Sequence, residues 1–269
     1  MKMKKAVGVV VLFGMIVVLI IFGCSSLSDV VMGSASTGAE KAISARVEQA
    51  VYKRLAPREE LPPPSSPNWG QFMANQAQIV FIYSFSAGGL WLGQTDYNPG
   101  EYTKFEWKAE DDTAVIIERA LLKKPENGNE WWRVTWEEGD DTWIYEALLT
   151  SGENAELLRL RARDADGNEG EVPVTKDQTI YIPPAELTAE SIEGATVERG
   201  KVSTPAGTFE ADHVVYLAVT GEGEVEWWIT EEVPGGVVKY LLKHKEEGVI
   251  WTSILQETGK NATTILESF

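Results

Sequence analysis

The sequence predicts a mainly β fold: a curved antiparallel sheet, a half-barrel of about eleven strands, with an N-terminal amphipathic helix. Three observations predict it. From residue 78 to the end, apolar residues recur with a period of two, in short runs separated by polar turn clusters. The runs number about eleven, too many for a flat open sheet without strong curling or closure. Several are apolar on both faces, notably Ile79–Phe85 and Val249–Leu255, so part of the sheet must be covered on both sides. A helix inside the curve is the natural cover.

The chain has 269 residues and a formal net charge of −17, with Lys+Arg 24 against Asp+Glu 41. Such an acidic surface repels phosphate backbones, which argues against nucleic acid as a partner. The sole cysteine permits no internal disulfide, and two histidines offer little for a transition metal. Ten tryptophans stand out in this composition.

Lys2, Lys4 and Lys5 precede an unbroken apolar run from Ala6 to Gly23, the layout of a bacterial export signal. The run ends at Ile21-Phe22-Gly23-Cys24, which resembles a lipobox. That resemblance implies diacylation of Cys24 as the new N-terminus, anchoring the protein in the membrane; several acyl chains hold where one alone is marginal. Phe22 is bulkier than the usual occupant of its position. The competing reading is an uncleaved membrane anchor, and both readings export the rest of the chain. Ser25 resembles the outer-membrane sorting pattern of Gram-negative lipoproteins. The expected organisation is a signal peptide over 1–23, a lipidated tether over 24–36, a helix and Pro-rich linker over 37–67, and the half-barrel over 68–269.

Thr37 and Glu40 form a capping box. Ile43, Val47, Ala50, Val51 and Leu55 then recur at helical spacing, which predicts a helix from about Gly38 to Leu55. Pro57 ends it, and Pro62 to Pro64 with Pro67 give a stiff linker. A short helix is expected over Gln71–Ala77. Strands are expected around Val80 and Ile82; Phe105 and Trp107; Val115 to Leu121; Trp132 to Trp136; Trp143 to Leu149; and Leu158 to Ala162. Further strands are expected around Val214 and Tyr216; Val225 to Ile229; Val238 to Leu242; Ile250 to Ile254; and Thr264 to Leu266.

A secreted helix followed by a long antiparallel meander resembles the half-barrel superfamily of periplasmic lipoprotein carriers and related envelope lipoproteins. The phrases Val202-Ser-Thr-Pro-Ala-Gly-Thr-Phe-Glu-Ala211 and Trp228-Ile-Thr-Glu-Glu-Val-Pro-Gly-Gly-Val-Val-Lys239 are similar to stretches that recur in that group, and Tyr97-Asn-Pro-Gly-Glu-Tyr102 adds to the likeness. The resemblance implies acyl chains held between a concave sheet and its helices.

The tryptophans are the main functional candidates. Within Trp131-Trp132 and Trp227-Trp228 successive side chains point to opposite faces. With Trp107, Trp136 and Tyr240 they either line an apolar groove that takes a lipid or acyl chain, or fill the sheet core. Arg159, Arg161 and Arg163 alternate with apolar neighbours. This ladder either receives an anionic headgroup or pairs with Glu169, Glu171 and Glu146. Asp164-Ala-Asp166-Gly-Asn168 has some calcium-loop flavour but lacks the full ligand spacing, and it is also hairpin-turn chemistry. His213 and His244 sit in apolar strands, where packing is the ordinary role. No nucleophile elbow, zinc-protease motif or phosphate loop occurs. The expectation is a non-enzymatic envelope lipoprotein without cofactor or metal, carrying an apolar ligand. The alternative is an assembly lipoprotein that binds a protein partner in the envelope.

Overall fold

Trp69, Met73, Ala77, Val80 and Phe81 fall three or four residues apart, and all are buried. That spacing makes Pro67–Ile82 a helix, α1, which runs on into a π-helical turn over Tyr83–Ala87. In this computed structural model the described residues are 67–87, 96–109, 114–150, 156–174, 188–217, 223–244 and 248–269. The expected signal peptide, Cys24, the tether and the helix over Gly38–Leu55 lie outside them. Pro67 opens α1 rather than closing a linker, at the first helical position where its missing N–H costs nothing. The short helix expected over Gln71–Ala77 is present and longer. The strand expected at Val80 and Ile82 is part of it: a fully apolar run fits a buried helix as well as a strand, and packing at helical spacing decides.

The strands are β1 (Tyr102–Ala109), β2 (Val115–Lys123), β3 (Glu130–Glu138), β4 (Asp141–Leu149), β5 (Leu157–Arg163), β6 (Glu169–Val172), β7 (Thr196–Thr204), β8 (Gly207–Leu217), β9 (Gly223–Ile229), β10 (Val237–His244) and β11 (Gly248–Gly259), with a helix α2 (Ala189–Ala195) before β7. Among the described residues these eleven strands form one sheet in the order β6-β5-β4-β3-β2-β1-β11-β10-β9-β8-β7. Two meanders meet where β1 pairs with β11, and every pairing is antiparallel. The sheet is curved and does not close. Bulges in the ladders, including those at Lys104/Phe105, Leu121/Lys123 and Leu148/Leu149, add to its natural twist. At the far end β7 curls back to touch β10 and β11.

The strand count matches expectation, but its membership differs. The expected strand at Val80 is helical, and Thr264–Leu266 is an irregular segment. β6 and β7 were not expected, because both are polar on both faces. Leu158 does not join the core face with Leu160 and Ala162. The bulge between Leu148 and Leu149 hands that position to Leu157 and leaves Leu158 exposed.

Candidate functional site

Strand alternation gives the sheet an inner face, which meets α1, and an outer face. On the inner face one row runs Val115, Trp107, Ser253, Tyr240, Trp227 and Val214 across β2, β1, β11, β10, β9 and β8. Ile117 and Trp136 lie opposite each other across β2 and β3, as do Leu121 and Trp132. Trp107, Trp132, Trp136, Trp227 and Tyr240 are all buried.

The end of α1 contributes the matching aromatics. Tyr83 meets Trp107 edge-on at 4.7 Å, and Phe85 meets Trp132 at 5.1 Å and 88°. Trp107 and Trp136 are themselves perpendicular at 6.0 Å. These are favoured geometries for rings with a negative face and a positive edge. Farther along the row Trp227 contacts Tyr216 and Tyr240, at 5.9 and 5.5 Å. Thus the inner face is an aromatic layer with α1 seated on part of it.

Two polar clamps hold α1 there. At its start the Trp69 indole donates to Asp164 Oδ2 at 2.8 Å. At its end Arg119, 2% exposed, donates to the Ser84 carbonyl and, through Nε and Nη2, to the Tyr97 hydroxyl at 3.0 and 2.7 Å. Tyr97 in turn bonds Thr103 at 2.6 Å. Gly70 allows close approach to the sheet edge: a Cβ there would stand 2.9 Å from Pro173 Cδ.

The Asp164–Asn168 turn uses its first carboxylate internally. Asp164 is buried and accepts from the Asp166 and Asn168 amides, the Asn168 side chain and Trp69. This is an Asx-type hairpin turn that also anchors a helix.

On the outer face the arginine ladder meets acids of the neighbouring strand. Arg159 forms a two-pronged pair with Glu171 at 3.0 and 3.1 Å, and Arg163 binds Glu169 at 2.7 Å. Arg161 reaches Glu169 at 3.7 Å. Trp131 also lies on this face, with Phe269 at 5.4 Å and the Arg159 guanidinium over its ring.

Farther along the outer face, half-buried Trp228 stacks on His213 at 4.2 Å and 8°, with Lys239 Nζ 4.3 Å above its ring. His213 pairs with Glu226 at 2.9 Å, and Lys243 completes the cluster with an ion pair to the same carboxylate. Burial alone would raise the Glu226 pKa. The hydrogen bonds from Lys243 and His213 outweigh it and hold the group below the ordinary carboxylate value.

Sequence reasoning missed Arg119, Tyr97 and Arg133 as organising residues. An arginine on the apolar side of its strand, alternating with Ile117 and Leu121, was the available signal for Arg119.

No protein-family model matches the chain, and no curated protein matches it. Solved structures with similar architecture include a protein from Bacteroides fragilis described as exported and YmcC-like in fold. It is 12% identical over 62% of this chain and 98% of that one, at a TM-score of 0.34. The Pseudomonas aeruginosa MucA/MucB complex is 8% identical over 71% of this chain, at 0.38; the likeness spans 58% of the matched chain. A Parabacteroides distasonis protein described as a lipoprotein is 10% identical over 61% of this chain and 97% of that one, at 0.29. At such identities and scores the likenesses carry no functional argument. The fold defines the class: an open, curved, antiparallel half-barrel with a helix on its aromatic face.

Proposed function

We propose that this chain is a non-enzymatic envelope lipoprotein. It is exported by its N-terminal signal, anchored through Cys24, and binds an apolar ligand, a lipid or acyl chain, against the aromatic inner face. The observation that carries the reading is the contact layer formed by Tyr83 and Phe85 on one side and Trp107, Trp132 and Trp136 on the other. An acyl chain entering between α1 and the sheet would exchange aromatic contacts for equally apolar ones, so little desolvation opposes it. The π-helical turn at the end of α1 is the local irregularity from which such parting would start. The arginine ladder, placed on the opposite face and paired with Glu169 and Glu171, has no part in this ligand reading.

The test is to purify the full chain and analyse co-purifying lipid by native mass spectrometry. A stoichiometric acyl lipid supports the reading. A lipid-free protein that takes up none from vesicles contradicts it.

A second reading, binding of a protein partner in the envelope, is favoured by β7. Among the described residues it is an edge strand of nine residues, largely exposed, with Val197 63% accessible. Such an edge accepts an added strand. Crosslinking from position 197 in membranes would capture the partner, and an empty crosslink would remove this reading.

A further inference from the structure

The outer face of β2–β5 holds residues 261–269 in a built site as a bent segment: the chain bends at Ile265 and Leu266, and the Ser268 amide donates back to Thr264 Oγ1 at 3.1 Å. At its centre lies Glu146, 0% exposed. Its Oε1 accepts the amides of Ile265 and Leu266 at 2.6 and 3.3 Å. Its Oε2 accepts the hydroxyls of Thr264 and Ser268, each at 2.6 Å. Arg133 donates to the Thr263 carbonyl, and Arg159 to the Ser268 carbonyl at 3.3 Å. Leu266 is fully covered, while Phe269 lies between Trp131 and Lys123 Nζ, the latter 4.9 Å from its ring. The site therefore reads main-chain amides and carbonyls, two hydroxyls four residues apart, and an apolar and an aromatic side chain.

We propose that this face is a peptide-binding surface whose resident segment is displaceable by a peptide that adopts the same bend and carries the same chemistry: hydroxyl, two aliphatic residues, a spacer, hydroxyl, aromatic. The inference goes beyond the apolar-ligand reading and does not depend on it.

Three features of the site distinguish a displaceable occupant from a fixed one. The segment is not a strand of the sheet; beyond one backbone bond, from the Ala262 amide to the Gly100 carbonyl at 2.8 Å, side chains hold it. Two of its non-glycine residues sit in the left-handed region, Asn261 at φ 74° and Glu267 at φ 51°, a cost that a better-suited peptide avoids. The site also has donors the segment leaves unused. Arg133 and Arg161 flank Glu146 in register, and the Nε of each is buried with no hydrogen-bond acceptor among the described residues. A buried donor without an acceptor is costly, and an incoming peptide with one more carbonyl or carboxylate in reach satisfies it.

The test uses the full chain and a fluorescein-labelled, amidated peptide of sequence Asn-Ala-Thr-Thr-Ile-Leu-Glu-Ser-Phe, read by fluorescence anisotropy. Leu266→Asp in the protein weakens the resident segment and leaves the sheet residues intact. The peptide is expected to bind this variant at least ten-fold more tightly than wild type, because the internal competitor is removed. Adding Glu146→Ala to Leu266→Asp is expected to abolish the gain. A folded Leu266→Asp protein without saturable binding, or with binding unaffected by Glu146→Ala, overturns the proposal. Hydrogen exchange on the wild-type chain provides the second arm, which stands if Leu266→Asp fails to fold. Excess unlabelled peptide is expected to accelerate exchange at the Ile265 and Leu266 amides of the protein, and unchanged exchange overturns the proposal.

Discussion

The indole of Trp69 donates to the carboxylate of Asp164 across 2.8 Å, joining two residues 95 positions apart. One bond thus ties the first turn of α1 to the β5–β6 hairpin. The same carboxylate organises the hairpin through the Asp166 and Asn168 amides. Asp164→Ala removes both functions at a buried position, and the expected loss is about 2–4 kcal/mol of unfolding free energy. Chemical denaturation measures it. Asp164→Asn, which keeps an acceptor, is expected to lose less.

Arg119 and Tyr97 form the second clamp. Arg119→Met removes the bonds to Ser84 and Tyr97 and leaves their oxygens buried, so a loss of about 2–4 kcal/mol is expected. Tyr97→Phe removes the hydroxyl while keeping the ring on Trp132, and should cost less. The two substitutions touch one network, so their effects should fall short of additive in the double variant. Denaturation of the single and double variants tests both points.

Glu226 predicts an acid-side dependence. Its folded pKa is lowered by hydrogen bonds from Lys243 and His213, against the opposing effect of burial. A carboxylate with a depressed folded pKa contributes stability that is fully present above its unfolded value, near 4.5. That contribution is lost as pH falls through the folded pKa. Glu226→Gln should therefore lower stability at pH 7 and flatten its decline below about pH 4.5. Thermal melts between pH 3 and pH 7 read this directly, and an unchanged acid limb would contradict it.

The arginine ladder makes a weaker prediction. Arg159 and Glu171 are each about half exposed, so solvent screens the pair. Glu171→Gln should change stability by under about 1 kcal/mol at ordinary salt, as measured by denaturation.

Much of the sheet was legible because β2, β3 and β4 alternate a buried apolar side with a second side. Trp132, Val134 and Trp136 could hardly share a face in any other element. The pairing of Arg159 and Arg163 with Glu171 and Glu169 was legible too, since a tight hairpin fixes which residues face each other. α1 was hidden where its sequence is apolar on every side: from Ile79 to Phe85 no period shows, and only packing against Trp107 and Trp132 selects the helix. β6 and β7 were hidden for the opposite reason. As edges of the sheet they have little to bury, so Glu169-Gly-Glu-Val and Thr196–Thr204 carry no apolar alternation. The segment around Thr264–Leu266 looked like a strand because it follows β11 and contains aliphatic residues. Its position is set instead by Glu146, 119 positions before Ile265, a contact that no local pattern encodes.

The central claim is that the inner aromatic face receives an acyl chain. Tryptophan fluorescence of the delipidated full chain, titrated with a bromine-labelled fatty acid, tests it most directly, since bromine quenches only indoles it touches. The account predicts saturable quenching, with part of the signal lost in Trp132→Phe and Trp136→Phe variants that remain folded. Emission unchanged up to saturating ligand, or quenching equal in wild type and both variants, would contradict it.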